Sequence, residues 1–447
     1  MFKIKLSNEM KESHKHYFDK YIVSKLQNNK LEFANLDVIE FNKKGNKLYS
    51  KDYIQNNHND FIQYCIDNTD RISIGNFQEL RNVDSEIRAL FPVVIKLIEE
   101  KFEFSNDNIQ YSGKKYWEVL LELFGYDDFG ECSLYTVLRD SAKNYNSIDK
   151  TNTYEKRERV QDKIIDTAKK IFPEIENEID KNLKKINSTG NKVIMSMKEF
   201  KNEFEAIEKK FSLALTLDNY KKCTLCNIWN SYIFVFASDI RICPYCNRQY
   251  ITPILTSNGK MRGTLDHFVA KNEYPYFSMS LYNLVPTCYS CNSSFKGDTE
   301  FSFNDINPYE ESMDDYIKFH ANMRIKKPIH ISIKKKTINK KAEIEKYLDT
   351  FKLESQYSYH INQVEELIFK RLVYTEEYIK DLSIKYKIPQ QIVKEQLIGY
   401  TENKLKINDE PLSKFRRDIV EQLNFFDDTD KHLINTLEKI LGKENSL

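Results

Sequence analysis

Six of the eight cysteines of this chain fall in three Cys-x-x-Cys pairs between residues 223 and 291. Two of them, Cys243-Pro-Tyr-Cys246 and Cys288-Tyr-Ser-Cys291, are separated by 41 residues. This spacing lets four thiolates converge tetrahedrally on one Zn²⁺ ion. A site filled by four sulfurs leaves no position for water or substrate, so such a zinc is structural and its binding energy is part of the folding energy. Cysteines packing only as small hydrophobes would have no reason to repeat at this spacing. The third pair, Cys223 and Cys226, lacks the two further ligands that a second closed site requires. It reads as reduced thiols on a helix, CNIWNSYIFVF, packed against the zinc knuckle, with a second metal site completed by a histidine as the alternative. Cys65 and Cys132 stand alone in apolar and aromatic surroundings.

Clustered cysteines of this kind belong to a compartment where thiols stay reduced. The first residues carry charge from position 3 onward with no apolar stretch, and no run of about 18 apolar residues occurs. The expectation is a cytoplasmic protein with no membrane contact. The length, 447 residues, suggests two or three domains. With 11 glycines and 10 prolines the chain is too poor in turn formers for a collagen-like or turn-dense all-β protein. A formal net charge of +1 does not advertise nucleic acid, so any attraction to phosphate must come from a local patch.

Periodicity divides the chain into three parts. Residues 1–190 are α-rich and carry no assignable motif: LDVIEFNKKGNKLYSKDY reads as two strands about Gly45, and KKYWEVLLELFGY and VQDKIIDTAKKIF as amphipathic helices. A polar cluster at 187–191 marks a boundary. In residues 191–310, Ser196 and Glu199 have capping-box spacing ahead of Phe200, Phe204, Ile207 and Phe211 at helical intervals. There ITPIL, Asn258-Gly259 and RGTLDHF read as a β-hairpin. Residues 311–447 return to helical spacing, with Ile361, Val364, Ile368, Leu372, Ile379 and Leu382 on one face and further helices after Pro389 and Pro411.

Asp266-His267 closes the second strand of that hairpin, and Asn292 directly follows the last cysteine of the frame. A zinc would fix strand end and helix start relative to each other, which preorganises a site. The oxygens of Asp266 and the Asn292 amide suit Mg²⁺ or Mn²⁺, leaving His267 free to act as a base. Together these residues resemble the HNH endonucleases of the ββα-metal class, in the branch tied by two Cys-x-x-Cys knuckles. The strings WNSY, CPYCNRQYI, LDHF, YPYFSMSLYNLVP and CNSSFKGD are similar to those of HNH proteins from bacterial anti-phage defence loci, Septu-type relatives included. The resemblance covers about 225–300 and continues weakly to LSKFRRDIVEQL; residues 1–190 match nothing. It implies an α+β protein in which a ββα-metal core with structural zinc lies between α-rich flanks. It also implies Asp266 as metal ligand, His267 as general base, Asn283 as the middle asparagine that braces the backbone around the histidine, and Asn292 as the last motif position.

The implied activity is metal-dependent hydrolysis of phosphodiester bonds, with DNA favoured over RNA as substrate and a partner ATPase of a defence system as an associated protein. Arg248, Lys271 and Lys296 sit beside the motif elements, placed to contact flanking phosphates; solvated surface charge is the simpler alternative. From Arg324 to Lys341 eight basic residues occur without an acidic one, and Ile329, Ile331 and Ile333 alternate with polar positions as in a strand with one basic face. Two other functions stay open: a zinc-stabilised module that binds nucleic acid or protein without cutting it, and an RNA-cutting toxin using the same site.

Overall fold

The computed structural model describes residues 3–29, 31–33, 39–41, 47–104, 111–126, 129, 133–142, 154–184, 193–221, 229–256, 260–425 and 429–442. Cys132, Cys223, Cys226, Gly45, the boundary at 187–191 and the Asn258-Gly259 turn lie outside them. The architecture is helix-rich α+β with small antiparallel sheets. No helix among the described residues is long and apolar enough to cross a membrane.

The N-terminal part is built of helices that include Asn8–Tyr17, Lys51–Asp67, Phe77–Leu90, Pro92–Glu99 and Tyr116–Leu123, with the short pair Ile39–Phe41 and Lys47–Tyr49 between them. Local chemistry starts several of these helices: the side chains of Ser7, Ser50 and Asn76 accept backbone N–H bonds as N-caps. The capping box of Ser196 and Glu199 forms at the head of Met197–Phe211. One apolar core runs on from these helices into the rest of the chain. Phe77 meets Phe268 edge-on at 5.2 Å, Phe61 meets Tyr276 at 6.0 Å, and the Ile4 N–H donates to the Pro308 carbonyl.

The central strands pair differently from the sequence expectation. Ile254–Thr256 pairs with Lys260–Met261 on one side and Ala214–Leu215 on the other. The strand Thr264–His267 instead pairs with Leu284–Thr287, setting Asp266 opposite Val285 and His267 opposite Leu284. Gly263 is the crossing point between the two sheets. A Cβ there would stand 2.9 Å from that of Ile251, so only glycine lets the chains approach. The helical face expected over 361–382 is divided into Ile361–Val373 and Glu376–Tyr386, because Thr375 caps the second helix. Helices after Pro389 and Pro411 span Gln390–Ile398 and Ser413–Gln422.

The basic segment forms the strand His330–Lys335, paired with Ile317–Asn322. Ile329 and Ile331 are buried beneath it. Part of its charge is spent internally: Lys335 pairs with Glu345, Lys340 with Glu311, and Lys336 donates to the Asp314 carbonyl.

A buried charge cluster fastens the helix Ser413–Gln422 to this hairpin. Lys414 is fully buried, its Nζ 2.7 Å from Asp314 Oδ1, 2.8 Å from Asp418 Oδ2 and 2.9 Å from the Ile317 carbonyl. Burial alone would raise the Asp314 carboxyl, but the Lys414 ammonium and the Arg417 guanidinium outweigh it and bring it down to about 2. Lys414→Met removes the buried ammonium that Asp314 and Asp418 share, leaving Arg417 as their remaining close cation, and should cost about 3–5 kcal/mol in urea unfolding. Because Asp314 is depressed, its contribution is complete above the ordinary carboxylate range and is lost as pH falls through about 4 toward 2. The variant should therefore show a weaker acid dependence than the parent in this window.

Candidate functional site

The four cysteines of the two knuckles meet. Cys243, Cys246, Cys288 and Cys291 are all buried, their sulfurs lie within 4.8 Å of one another, and those of Cys246 and Cys288 are 3.9 Å apart. A tetrahedral ion with Zn–S near 2.3 Å sets its sulfurs about 3.8 Å apart, so the cluster fits a structural zinc. The knuckle also serves as a backbone hub. The Tyr245 carbonyl accepts from the Tyr347 hydroxyl at 2.9 Å, the Cys246 carbonyl from the Tyr357 hydroxyl at 2.7 Å, and the Asn247 carbonyl from the Leu412 N–H at 2.7 Å. Asn247, at φ +55°, turns the chain, and its buried amide reaches the Ile407 carbonyl and the Lys414 N–H.

Consecutive side chains of a strand point to opposite faces, and this separates Asp266 from His267. Asp266 faces the knuckle. Its Oδ2 accepts from the Tyr245 hydroxyl at 2.6 Å, and the Lys296 Nζ lies 2.8 and 2.9 Å from its two oxygens. Burial pushes the Asp266 carboxyl up from its ordinary value, opposed by Lys296. With 4% of its surface exposed and both oxygens engaged, Asp266 does not fit the role of an open ligand for Mg²⁺ or Mn²⁺. Lys296, expected to contact phosphate, is turned inward instead and is 5% exposed.

His267 faces the N-terminal part of the molecule. Its Nε2 lies 2.9 Å from the Ser278 carbonyl; a carbonyl only accepts, so Nε2 carries the proton and Nδ1 presents the lone pair. Burial, and then the cation of Lys271, lower the imidazole to about 3 against the raising effect of the Ser278 bond, so the ring is neutral. The Tyr126 ring stands edge-on to it at 5.0 Å, and the Lys271 Nζ lies 4.1 Å over Tyr126. Gly125, at φ +71°, ends the helix Tyr116–Leu123 and turns the chain into Tyr126. Arg262 lies over the Tyr232 ring at 5.4 Å.

Asn283 is fully buried and braces the segment after His267. Its Oδ1 accepts from the Val269 N–H at 2.8 Å, and its Nδ2 donates to the Phe277 and Val269 carbonyls. From the other side His14, also fully buried, lies 2.7 Å from the Met279 carbonyl through Nε2 and accepts from the Trp229 indole N–H at Nδ1. Asn292 lies in the short helix Ser290–Lys296, half-buried, its side chain making no hydrogen bond among the described residues. Arg248, expected near phosphate, is turned to the C-terminal part. Its guanidinium binds His360 at 3.0 Å and Gln356 at 2.5 Å and lies over Tyr357.

The structure therefore gathers His267, Lys271 and Tyr126 on one face of the strand, and Asp266, Lys296 and Tyr245 on the other. Tyr126 and His14 carry no motif signal, and Trp229 lies in the WNSY string without a role assigned to it there; their roles follow from contacts distant in sequence. A cavity of about 830 Å³ between Arg241, Tyr250, Glu395 and Lys406 includes none of the residues around His267.

Purified protein should carry one zinc per chain. Cys243→Ser should abolish metal binding and the cooperative unfolding transition together; a zinc-free variant that unfolds like the parent would refute the structural role. Comparison with protein-family models, with curated proteins and with solved structures finds no match for this chain.

Proposed function

We propose that this chain is a nuclease of the HNH type that hydrolyses phosphodiester bonds of nucleic acid, DNA ahead of RNA. The observation that carries the reading is His267: one ring nitrogen tied to a backbone carbonyl, the other presented as a lone pair, on a strand end held beside a cysteine-bound knuckle. A fixed tautomer of a neutral imidazole is what a general base requires. The place in anti-phage defence and the partner ATPase rest on the resemblance of the motif strings.

His267 Nδ1 would take a proton from the water that attacks phosphorus, the P–O3′ bond opposite the attacking oxygen would break, and the departing O3′ would take a proton from solvent; the negative phosphate arriving beside the imidazole raises its basicity. Lys271, the cation acting most strongly on the imidazole, would draw in the phosphodiester and offset charge on its non-bridging oxygens. Tyr126 positions Lys271 through its ring face and shields the imidazole from bulk water. A divalent ion held by Asp266 does not fit the described arrangement.

The noncatalytic alternative, a zinc-stabilised binding module, draws support from the engagement of Asp266 by Lys296. Cleavage assays on plasmid, single-stranded DNA and RNA, with and without Mg²⁺ or Mn²⁺, separate the readings. His267→Ala should lower the turnover rate by roughly 10²–10⁴-fold, with zinc content and thermal midpoint retained. An equal rate in the variant refutes His267 as base, and absence of cleavage by the parent with binding intact favours the module. Lys271→Ala should raise KM and reduce the salt slope of duplex binding by about 0.9; an unchanged slope removes Lys271 from the phosphate contacts. Preference among the three substrates decides between a DNA-cutting enzyme and an RNA-cutting toxin.

A further inference from the structure

The surroundings of the Lys296 ammonium are those of a coordinated cation. Nζ lies 2.8 and 2.9 Å from the two oxygens of Asp266, 2.5 Å from the His267 carbonyl and 3.2 Å from the Phe268 carbonyl. The rings of Phe301 and Phe268 flank it at 5.4 and 6.0 Å. Both partners of the ion pair are almost wholly removed from solvent. The four oxygens meet at this point because of three fixed elements. Asp266 and His267 end the strand paired with Leu284–Thr287, Phe268 is locked to Asn283 by its backbone N–H, and Lys296 ends the helix whose first turn contains Cys291.

Mg²⁺ and Mn²⁺ need carboxylate oxygens at short range together with several retained waters. At Asp266 one oxygen is shared with the Tyr245 hydroxyl and both are shared with Lys296. An ammonium already neutralises the carboxylate, and moving it away would strand two buried charges.

We propose that the Lys296 ammonium is the resident cation of the Asp266 carboxylate and excludes divalent metal ions from it. This inference stands on the side chains around Asp266 and not on the role of His267.

The test is titration of the zinc-loaded full chain with Mn²⁺, following free Mn²⁺ by electron paramagnetic resonance. The parent chain should show no Mn²⁺ site that Asp266→Asn removes. Lys296→Met, which keeps an apolar stem against Phe268 and Phe301, should gain one Mn²⁺ site per chain, and Lys296→Met/Asp266→Asn should lose it. A parent chain that binds one Mn²⁺ lost on Asp266→Asn overturns the proposal, as does a zinc-containing, folded Lys296→Met that binds no more Mn²⁺ than the parent. If the variants do not fold, Mn²⁺-soaked crystals of the parent chain decide. An anomalous-scattering peak in coordination range of Asp266 overturns the proposal, and an intact Lys296–Asp266 pair without such a peak supports it.

Discussion

Four sulfurs drawn to within 4.8 Å of one another are the constraint on which the remaining structure depends. A structural zinc of this type contributes roughly 10–16 kcal/mol of apparent binding free energy, comparable with the whole stability of an ordinary domain, about 5–15 kcal/mol. In a zinc-bound chain that energy would reach the fold through specific bonds. The carbonyls of Tyr245, Cys246 and Asn247 are acceptors for Tyr347, Tyr357 and Leu412, and the Tyr245 hydroxyl reaches forward to Asp266. If the sulfurs separate, the C-terminal helices lose their anchor and the strand end carrying His267 loses one of its supports.

The second set of supports comes from the N-terminal part. His14, itself oriented by the Trp229 indole N–H from the central part, bonds the Met279 carbonyl, one residue beyond the carbonyl that fixes His267. Asp84 accepts from the Tyr276 hydroxyl at 2.7 Å in the same segment. Burial lowers the His14 imidazole to about 4, so it stays neutral and keeps its paired donor and acceptor roles at neutral pH. A segment without a recognisable motif thus supplies the wall and bracing of the candidate site.

The legible features were those encoded by local spacing. The cysteine frame follows from two Cys-x-x-Cys pairs, the helix Met197–Phe211 from a capping box, and the strand His330–Lys335 from alternation. Features decided by tertiary choice were not legible. The turn signal at Asn258-Gly259 suggested ITPIL and RGTLDHF as partners, whereas Thr264–His267 pairs with Leu284–Thr287 across Gly263. Lys296 and Arg248 read as surface cations because a lysine or arginine beside a motif normally is one. The unforeseen element was a buried acceptor for each, the Asp266 carboxylate and the pair of Gln356 and His360.

Strand alternation gives the Asp-His dipeptide two separate tasks. The Asp266 face is dry and electrically closed, and an intramolecular ammonium has a strong advantage there over an ion from solution. Lys296 is held at the carboxylate by a short helix rooted in Cys291, so its local concentration is that of a tethered group, millimolar or higher. A free Mg²⁺ ion must shed water and eject a buried charge to compete. The His267 face differs: the second nitrogen of its imidazole has no hydrogen-bond partner among the described residues, and the ring lies beside the Lys271 cation with an aromatic ring as its wall. In the proposed nuclease, chemistry on a bound phosphate would belong on that side of the strand, and the opposite side serves to keep the strand in place.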